Sequence, residues 1–203
     1  MKIGILGAGN VGGALAALFV SAGHEVVAGV REPSDESPAS FRIVTLREAA
    51  ELGEVVVLAV PFSACSELLP ALHAQLKGKV VVDATNPLNA DWSPLLLGEE
   101  NSGGETISRL LPDSQIVKAF NTIFADIMNP PDLDRDGHKT TAFIAGDSED
   151  ANATVARLAE QAGFAPQMAG PLRMARYLEA MAHLNIHIAV GLKQGTDAAF
   201  LYR

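Results

Sequence analysis

The segment MKIGILGAGNVGGALA, residues 1–16, constrains the fold more than any other part of the chain. Ile3, Ile5 and Leu6 make an apolar run too short for a helix and rich enough in isoleucine for a buried strand. Gly7, Gly9 and Gly12 follow in G-x-G-x-x-G spacing, and Ala14, Leu15, Leu18 and Phe19 then recur as on a helix. Glycines where a strand turns into a helix are the context that a dinucleotide fingerprint requires. Gly7 permits the tight turn, Gly9 leaves the backbone open to a pyrophosphate, and Gly12 lets the helix approach the strand. The helix that starts near Asn10 points unpaired N–H groups and its positive dipole end at the phosphates.

Composition narrows the partners. The chain has 203 residues, 48% of them hydrophobic, so it is globular. Its net charge of −9, with no basic cluster, argues against nucleic acid or an anionic membrane as partner. Cys65 is the only cysteine, so no internal disulfide can form, and a free thiol fits a reducing compartment. The N-terminus does not read as a signal peptide. The longest apolar tract, residues 174–192, is interrupted by Arg176, Glu179, His183, Asn185 and His187, which argues against a membrane span. A cytoplasmic protein is expected.

Strands are expected at 25–29, 41–44, 54–60, 79–83, 114–119, 140–145 and 164–168. Thr45 and Glu48 form a capping box for a short helix to Leu52. One helix is expected from Pro61 to about Leu76, and another over 105–111. A further helix over 148–162 has Asp147 as its cap and Gly163 as its stop. Residues 31–40 and 129–138 read as loops, and 172–190 as a long helix. The order predicts an α/β fold: a Rossmann-type doubly wound, mostly parallel sheet with a small C-terminal α/β extension ending in a long helix. Residues 1–120 would form the dinucleotide-binding domain, and 121–203 the extension, packed on it as one compact unit.

The end of the second strand bears on cofactor choice. A ribose 2′-hydroxyl usually meets an acid there, but this chain reads Ala28-Gly29-Val30-Arg31-Glu32. The Arg31 guanidinium suits a 2′-phosphate, which favours NADP(H), whereas Glu32 would suit the free ribose of NAD(H).

Taken together, GILGAGNVGGALA (4–16), GHEVVAGVR (23–31), VVVLAVP (55–61), VVVDATNPL (80–88), VKAFNT (117–122) and FIAGD (143–147) resemble the coenzyme F-420-dependent NADP oxidoreductases. The D-A-T-N-P and K-A-F-N-T pair is also similar to the reductase domain of the six-transmembrane metalloreductases. The resemblance implies an enzyme that passes hydride between NADP(H) and a flat acceptor: coenzyme F-420, or a flavin or ferric-type acceptor. It implies that Gly7, Gly9, Asn10, Val11 and Gly12 hold the pyrophosphate and Arg31 the 2′-phosphate. Val60 and Pro61 would lie along the ribose, with Asn86, Ala119 and Asn121 near the nicotinamide. One departure stands out: coenzyme F-420 carries a phosphate and a glutamate tail, which call for a cationic track, and only Lys118, His138, Lys139, Arg173 and Arg176 are available, scattered.

The 3-hydroxyacid dehydrogenases and pyrroline-5-carboxylate reductase share the fingerprint but carry a large helical C-terminal domain, which residues 121–203 do not resemble. A non-enzymatic NADPH sensor is the alternative, since no acid–base pair is evident. Hydride transfer between flat rings needs orientation more than a strong acid. Asp83 reads as a loop-ordering acceptor, and Trp92 as a packing residue or a flank for an acceptor ring. Glu179, His183 and His187 share one helix face, but without a metal-binding motif no metal site is assigned. The apolar circumference of that last helix predicts a homodimer with the helix in the interface.

Overall fold

The computed structural model describes residues 1–33, 40–98 and 100–203; residues 34–39 of the expected 31–40 loop lie outside it. Ten strands form: β1 (Lys2–Leu6), β2 (Glu25–Val30), β3 (Arg42–Thr45), β4 (Val55–Leu58), β5 (Val80–Asp83), β6 (Gln115–Ala119), β7 (Asp134–Arg135), β8 (His138–Lys139), β9 (Thr141–Gly146) and β10 (Ala165–Gly170). The helices are α1 (Asn10–Ser21), α2 (Leu46–Leu52), α3 (Cys65–Ala71), α4 (His73–Leu76), α5 (Gly103–Leu110), α6 (Pro130–Leu133), α7 (Glu149–Gln161) and α8 (Ala175–Ile186).

Eight strands make one sheet in the order β10-β9-β6-β5-β4-β1-β2-β3, and β7 and β8 make a separate hairpin. Every neighbouring pair in the large sheet is parallel except β6 with β9. This is the expected doubly wound α/β sheet. The chain runs outward from β1 through β2 to β3, then returns to β4 and runs the other way. The switch point therefore lies between β1 and β4, where an open α/β sheet binds its ligands beyond the carboxyl ends of the strands. Strands β9 and β10, from the C-terminal part of the sequence, extend the same sheet.

The apolar strands are apolar on both faces because helices cover both. Ile3, Ile5, Val55, Val57, Val82 and Val117 pack on one side with Leu15 and Phe19 of α1 and Val155 and Leu158 of α7. Their alternating neighbours Leu6, Val56, Leu58, Val81 and Ile116 pack on the other side with Ala49 of α2, Leu69 of α3 and Ile107 of α5. The period of two along each strand thus divides the core between two layers.

Several boundaries differ from the sequence reading. The capping box forms as expected, with both Thr45 and Glu48 engaged. The single helix expected after Pro61 is instead a 3-10 turn (Phe62–Ala64) followed by α3 and α4. Pro70, near the end of α3, has no N–H to continue the ladder, and the chain breaks at Leu72. Ser148, not Asp147, caps α7: its hydroxyl accepts from the Ala151 N–H. The Asp147 carboxylate accepts from the Leu172 N–H and so ties β9 to the chain entering α8. The segment 129–138 is not all loop, since it contains α6, β7 and the first residue of β8. The last helix ends in a π-helical turn, His187–Gly191. The tail then returns to β9, where Thr141 N–H donates to the Phe200 carbonyl and Tyr202 N–H to the Thr141 hydroxyl. Among the described residues no helix is long and apolar enough to cross a membrane.

Candidate nucleotide and acceptor cleft

The turn from β1 into α1 is shaped by three glycines with different duties. Gly7 has φ +104°, and a Cβ there would lie 2.5 Å from the Ala59 carbonyl oxygen. A Cβ on Gly12 would lie 1.9 Å from the Gly7 carbonyl oxygen. Both glycines are therefore needed for packing. Gly9 differs: a Cβ there would meet nothing within 4 Å. It is the N-cap of α1, and no side chain caps the helix there. The helix consequently begins with unsatisfied amides and open space above them, which is what a phosphate group requires.

That space opens into a cleft of about 1100 Å³. Its walls are the segments leaving β1 (Gly9–Val11), β4 (Ala59–Ser63), β5 (Ala84–Asn86) and β6 (Phe120–Asp126), with the end of α8. Apart from the α8 wall, these segments follow the carboxyl ends of neighbouring strands around the switch point.

Two asparagines meet across the cleft. Asn86 donates from Nδ2 to the Asn121 carbonyl at 2.8 Å, and Asn121 donates from Nδ2 to Asn86 Oδ1 at 2.9 Å and to the Leu178 carbonyl at 3.1 Å. These donations fix which end of the Asn121 amide is oxygen. Its Oδ1 is buried and has no partner. A buried acceptor left unpaired is costly, and this one belongs to a residue that lines the cleft. Phe120, which precedes it, has φ +64°, an unusual backbone for a bulky residue. Phe19 and Phe164 clamp its ring at centroid distances of 6.2 and 5.4 Å. The aromatic packing holds the bend that turns Asn121 into the cleft.

Behind the asparagines lies a sealed ionic cluster. Lys118, on β6, is fully buried. Its Nζ donates to Asp83 Oδ2 at 2.9 Å, to the Thr85 carbonyl at 2.7 Å, and pairs with Glu179 Oε1 at 2.8 Å. Asp83 Oδ1 accepts from the Thr85 N–H and hydroxyl. The Glu179 carboxylate also accepts from the Gly103 and Gly104 amides, at the start of α5. Burial pulls the Lys118 pKa down, but Asp83 and Glu179 together outweigh it and hold the ammonium above its usual value. Cys65, nearby, is buried and its thiol is pushed up to about 12, chiefly by burial and then by the Asp83 charge. That thiol stays protonated at neutral pH.

Comparison with known proteins decides the family. The model of the family "NADP oxidoreductase coenzyme F420-dependent" matches residues 2–87. An F420-dependent NADP reductase from Methanothermobacter marburgensis is 31% identical, over 94% of this chain and 93% of its own. The chain belongs to the coenzyme F420-dependent NADP oxidoreductase family. A crystal structure of an Arthrobacter sp. FB24 protein, described as a putative F420-dependent NADP reductase, superposes with a TM-score of 0.88 at 29% identity. It covers 100% of this chain and 99% of that one. Metalloreductase STEAP3 of Rattus norvegicus is 35% identical over 89% of this chain, which spans 36% of that longer protein.

In this family member the cleft brings together Gly9, Asn10, Val11, Val60, Pro61, Asn86 and Asn121 from the sequence reading. Gly7 and Gly12 lie outside its lining, where they pack the turn, and Ala119 is fully buried; its neighbour Phe120 lines the cleft instead. Arg31 is exposed just past β2, also outside the lining. The Glu179–His183–His187 row does not converge. Glu179 is committed to Lys118, a His183 ring nitrogen lies 2.9 Å from the Pro87 carbonyl, and His187 is exposed. Nor is α8 buried around its circumference within one chain, since Tyr177 and Leu184 are 65% and 59% exposed. The ionic cluster was not foreseen, although a signal existed. Asp83 and Lys118 interrupt two apolar strands at positions that pair across β5 and β6.

Proposed function

We propose that this protein is an NADP(H)-dependent oxidoreductase that passes hydride between the nicotinamide and a flat redox acceptor lodged in the same cleft. The observation that carries the reading is one cleft with matched ends. The uncapped start of α1 under Gly9 lies at one end, and the unpartnered Asn121 Oδ1 lies beyond the β5 and β6 ends. The first is complementary to a pyrophosphate, the second to a carboxamide N–H. Family membership supports the same reading, and the names of the relatives point to coenzyme F420 or a metal as acceptor.

When bound, the cofactor supplies a two-electron hydride donor. The protein's share is binding and orientation. The α1 amides hold phosphate, Val60 and Pro61 form the wall beside β4, and the Asn86–Asn121 pair presents one fixed acceptor atom. The ionic cluster fixes that pair from behind through Thr85 and the Leu178 turn of α8. Hydride transfer between oriented rings asks for little acid–base chemistry.

Arg31 is assigned to the 2′-phosphate. Its guanidinium makes no ion pair among the described residues, and no acid stands at the end of β2 itself. Arg31→Glu should weaken NADPH binding by about 10- to 100-fold, as expected for loss of a charge-assisted pair worth about 1.5–3 kcal/mol, and leave NADH nearly unchanged. Calorimetric titration of both cofactors into both proteins checks this. Equal affinity of the parent protein for NADPH and NADH would sink the assignment. Cofactor binding with no turnover on any acceptor would favour a regulatory protein.

A further inference from the structure

Past the nucleotide segments, the rest of the cleft is lined by Leu88, Trp92, Leu95, Phe124, Ile186 and Val190. The polar groups among them are amides and hydroxyls, with one charge, the Asp126 carboxylate. No lysine, arginine or histidine lines the cleft. Residues 34–39 and 99, outside the described structure, contain none either.

The cations that the sequence offered as a track are all elsewhere. Lys118 is sealed in its cluster, Arg176 is paired with Glu105, His138 and Lys139 form a strand of the small hairpin, and Arg173 is exposed. Of the basic residues beside the α8 wall, His183 is held at the Pro87 carbonyl and His187 and Lys193 are exposed; all three lie outside the lining. In this half of the lining an acceptor's phosphate or carboxylate groups would meet apolar walls and a like charge at Asp126, without the helix N-terminal amides that serve a phosphate at Gly9.

The aromatic wall is deliberately held. Trp92 is 61% exposed and has φ +68°, which a bulky side chain rarely adopts. A turn fixes it: Trp92 N–H donates to the Asn89 carbonyl, and Ser93 donates from N–H and hydroxyl to Asp91 Oδ1. A large ring kept in solvent at the mouth of an apolar cleft is suited to stack on another flat ring.

We propose that the acceptor half of this cleft takes a neutral planar redox ring of the quinone class, without an anionic tail. The inference rests on the NADP(H) reading and names the substrate class of that site. The step balances as NADPH plus quinone plus one proton giving NADP⁺ and hydroquinone. The quinone gains two electrons and one hydrogen as hydride from the nicotinamide, a carbonyl π bond is lost, and the remaining proton comes from solvent.

Trp92 is the only tryptophan, so its fluorescence reports on this wall alone. The test titrates 1,4-naphthoquinone, 1,4-naphthoquinone-2-sulfonate and coenzyme F420 into the free and the NADP⁺-saturated protein. The neutral quinone should quench saturably, with a Kd about tenfold or more below that of the sulfonate, as one unpaired like-charge contact implies. Added salt and the Asp126→Asn variant should both narrow that gap. Binding of the sulfonate or of coenzyme F420 as tightly as the neutral quinone would overturn the proposal. So would the absence of saturable quenching by the neutral quinone. A separate NADP⁺ titration, without acceptor, tells failure of the cofactor reading from failure of this one.

Discussion

Glu179→Ala is expected to destabilise the protein by about 3–5 kcal/mol, the cost typical of breaking a buried ion pair from one side. The substitution leaves the fully buried Lys118 with one carboxylate in place of two, and removes the acceptor of the Gly103 and Gly104 amides. Both losses occur where water cannot enter to compensate. Replacing the lysine as well, in Lys118→Met/Glu179→Leu, should not recover the loss, because the buried Asp83 carboxylate then has no counter-charge. Asp83 Oδ2 and the two amides would all lack partners, so the double variant is expected to be the least stable of the three. Urea unfolding of parent, single and double variants checks the order. A Glu179→Ala loss below about 1 kcal/mol would contradict the account of the cluster. The sign of its pH dependence follows from Lys118, whose folded pKa is raised. The contribution of this lysine is complete below its unfolded pKa of about 10.4 and is lost as pH rises through the folded value. Stability near neutral pH should therefore be insensitive to this group.

The second large effect separates two glycines of one motif. Gly9→Val should leave thermal stability almost unchanged and weaken NADPH by about 100-fold or more, equivalent to about 2.7 kcal/mol. Gly9 has φ −72° and ψ −166°, an extended backbone that valine accepts, and its Cβ would enter open space. The side chain would fill the place where a pyrophosphate must approach. Gly12→Ala should instead act on the fold, because its Cβ is driven into the Gly7 carbonyl. Melting curves with and without NADPH distinguish the two. Gly9→Val protein that binds NADPH within about threefold of the parent would show that the phosphates do not lie there.

The fold was legible where local chemistry and tertiary packing agree. The short apolar run of Ile3, Ile5 and Leu6, the capping box at Thr45 and the glycine stop at Gly163 each state a strand or helix end in a few residues. The break at Leu72 was obscured by continuous helical composition, although Pro70 marked it. In the site, the glycine turn was legible because backbone geometry alone demands those residues. The roles of Lys118, Asp83 and Glu179 were not, because they depend on three distant segments meeting. Asp83 was read correctly as a loop-ordering acceptor through Thr85, but its second oxygen serves Lys118. Trp92 was weighed between packing and flanking a ring, and its exposure at the cleft favours the ring.

Transfer from NADPH deuterated at C4 tests the central claim most directly. The two stereospecifically labelled forms would be reacted in single turnovers with an acceptor that the protein reduces. A cleft that fixes one nicotinamide face against the acceptor should remove deuterium from only one form, and slow the reaction for that form. The other form should keep its label in all of the NADP⁺ produced, at the unlabelled rate. Equal loss from both labelled positions, or full retention in both, would contradict direct hydride transfer within this cleft.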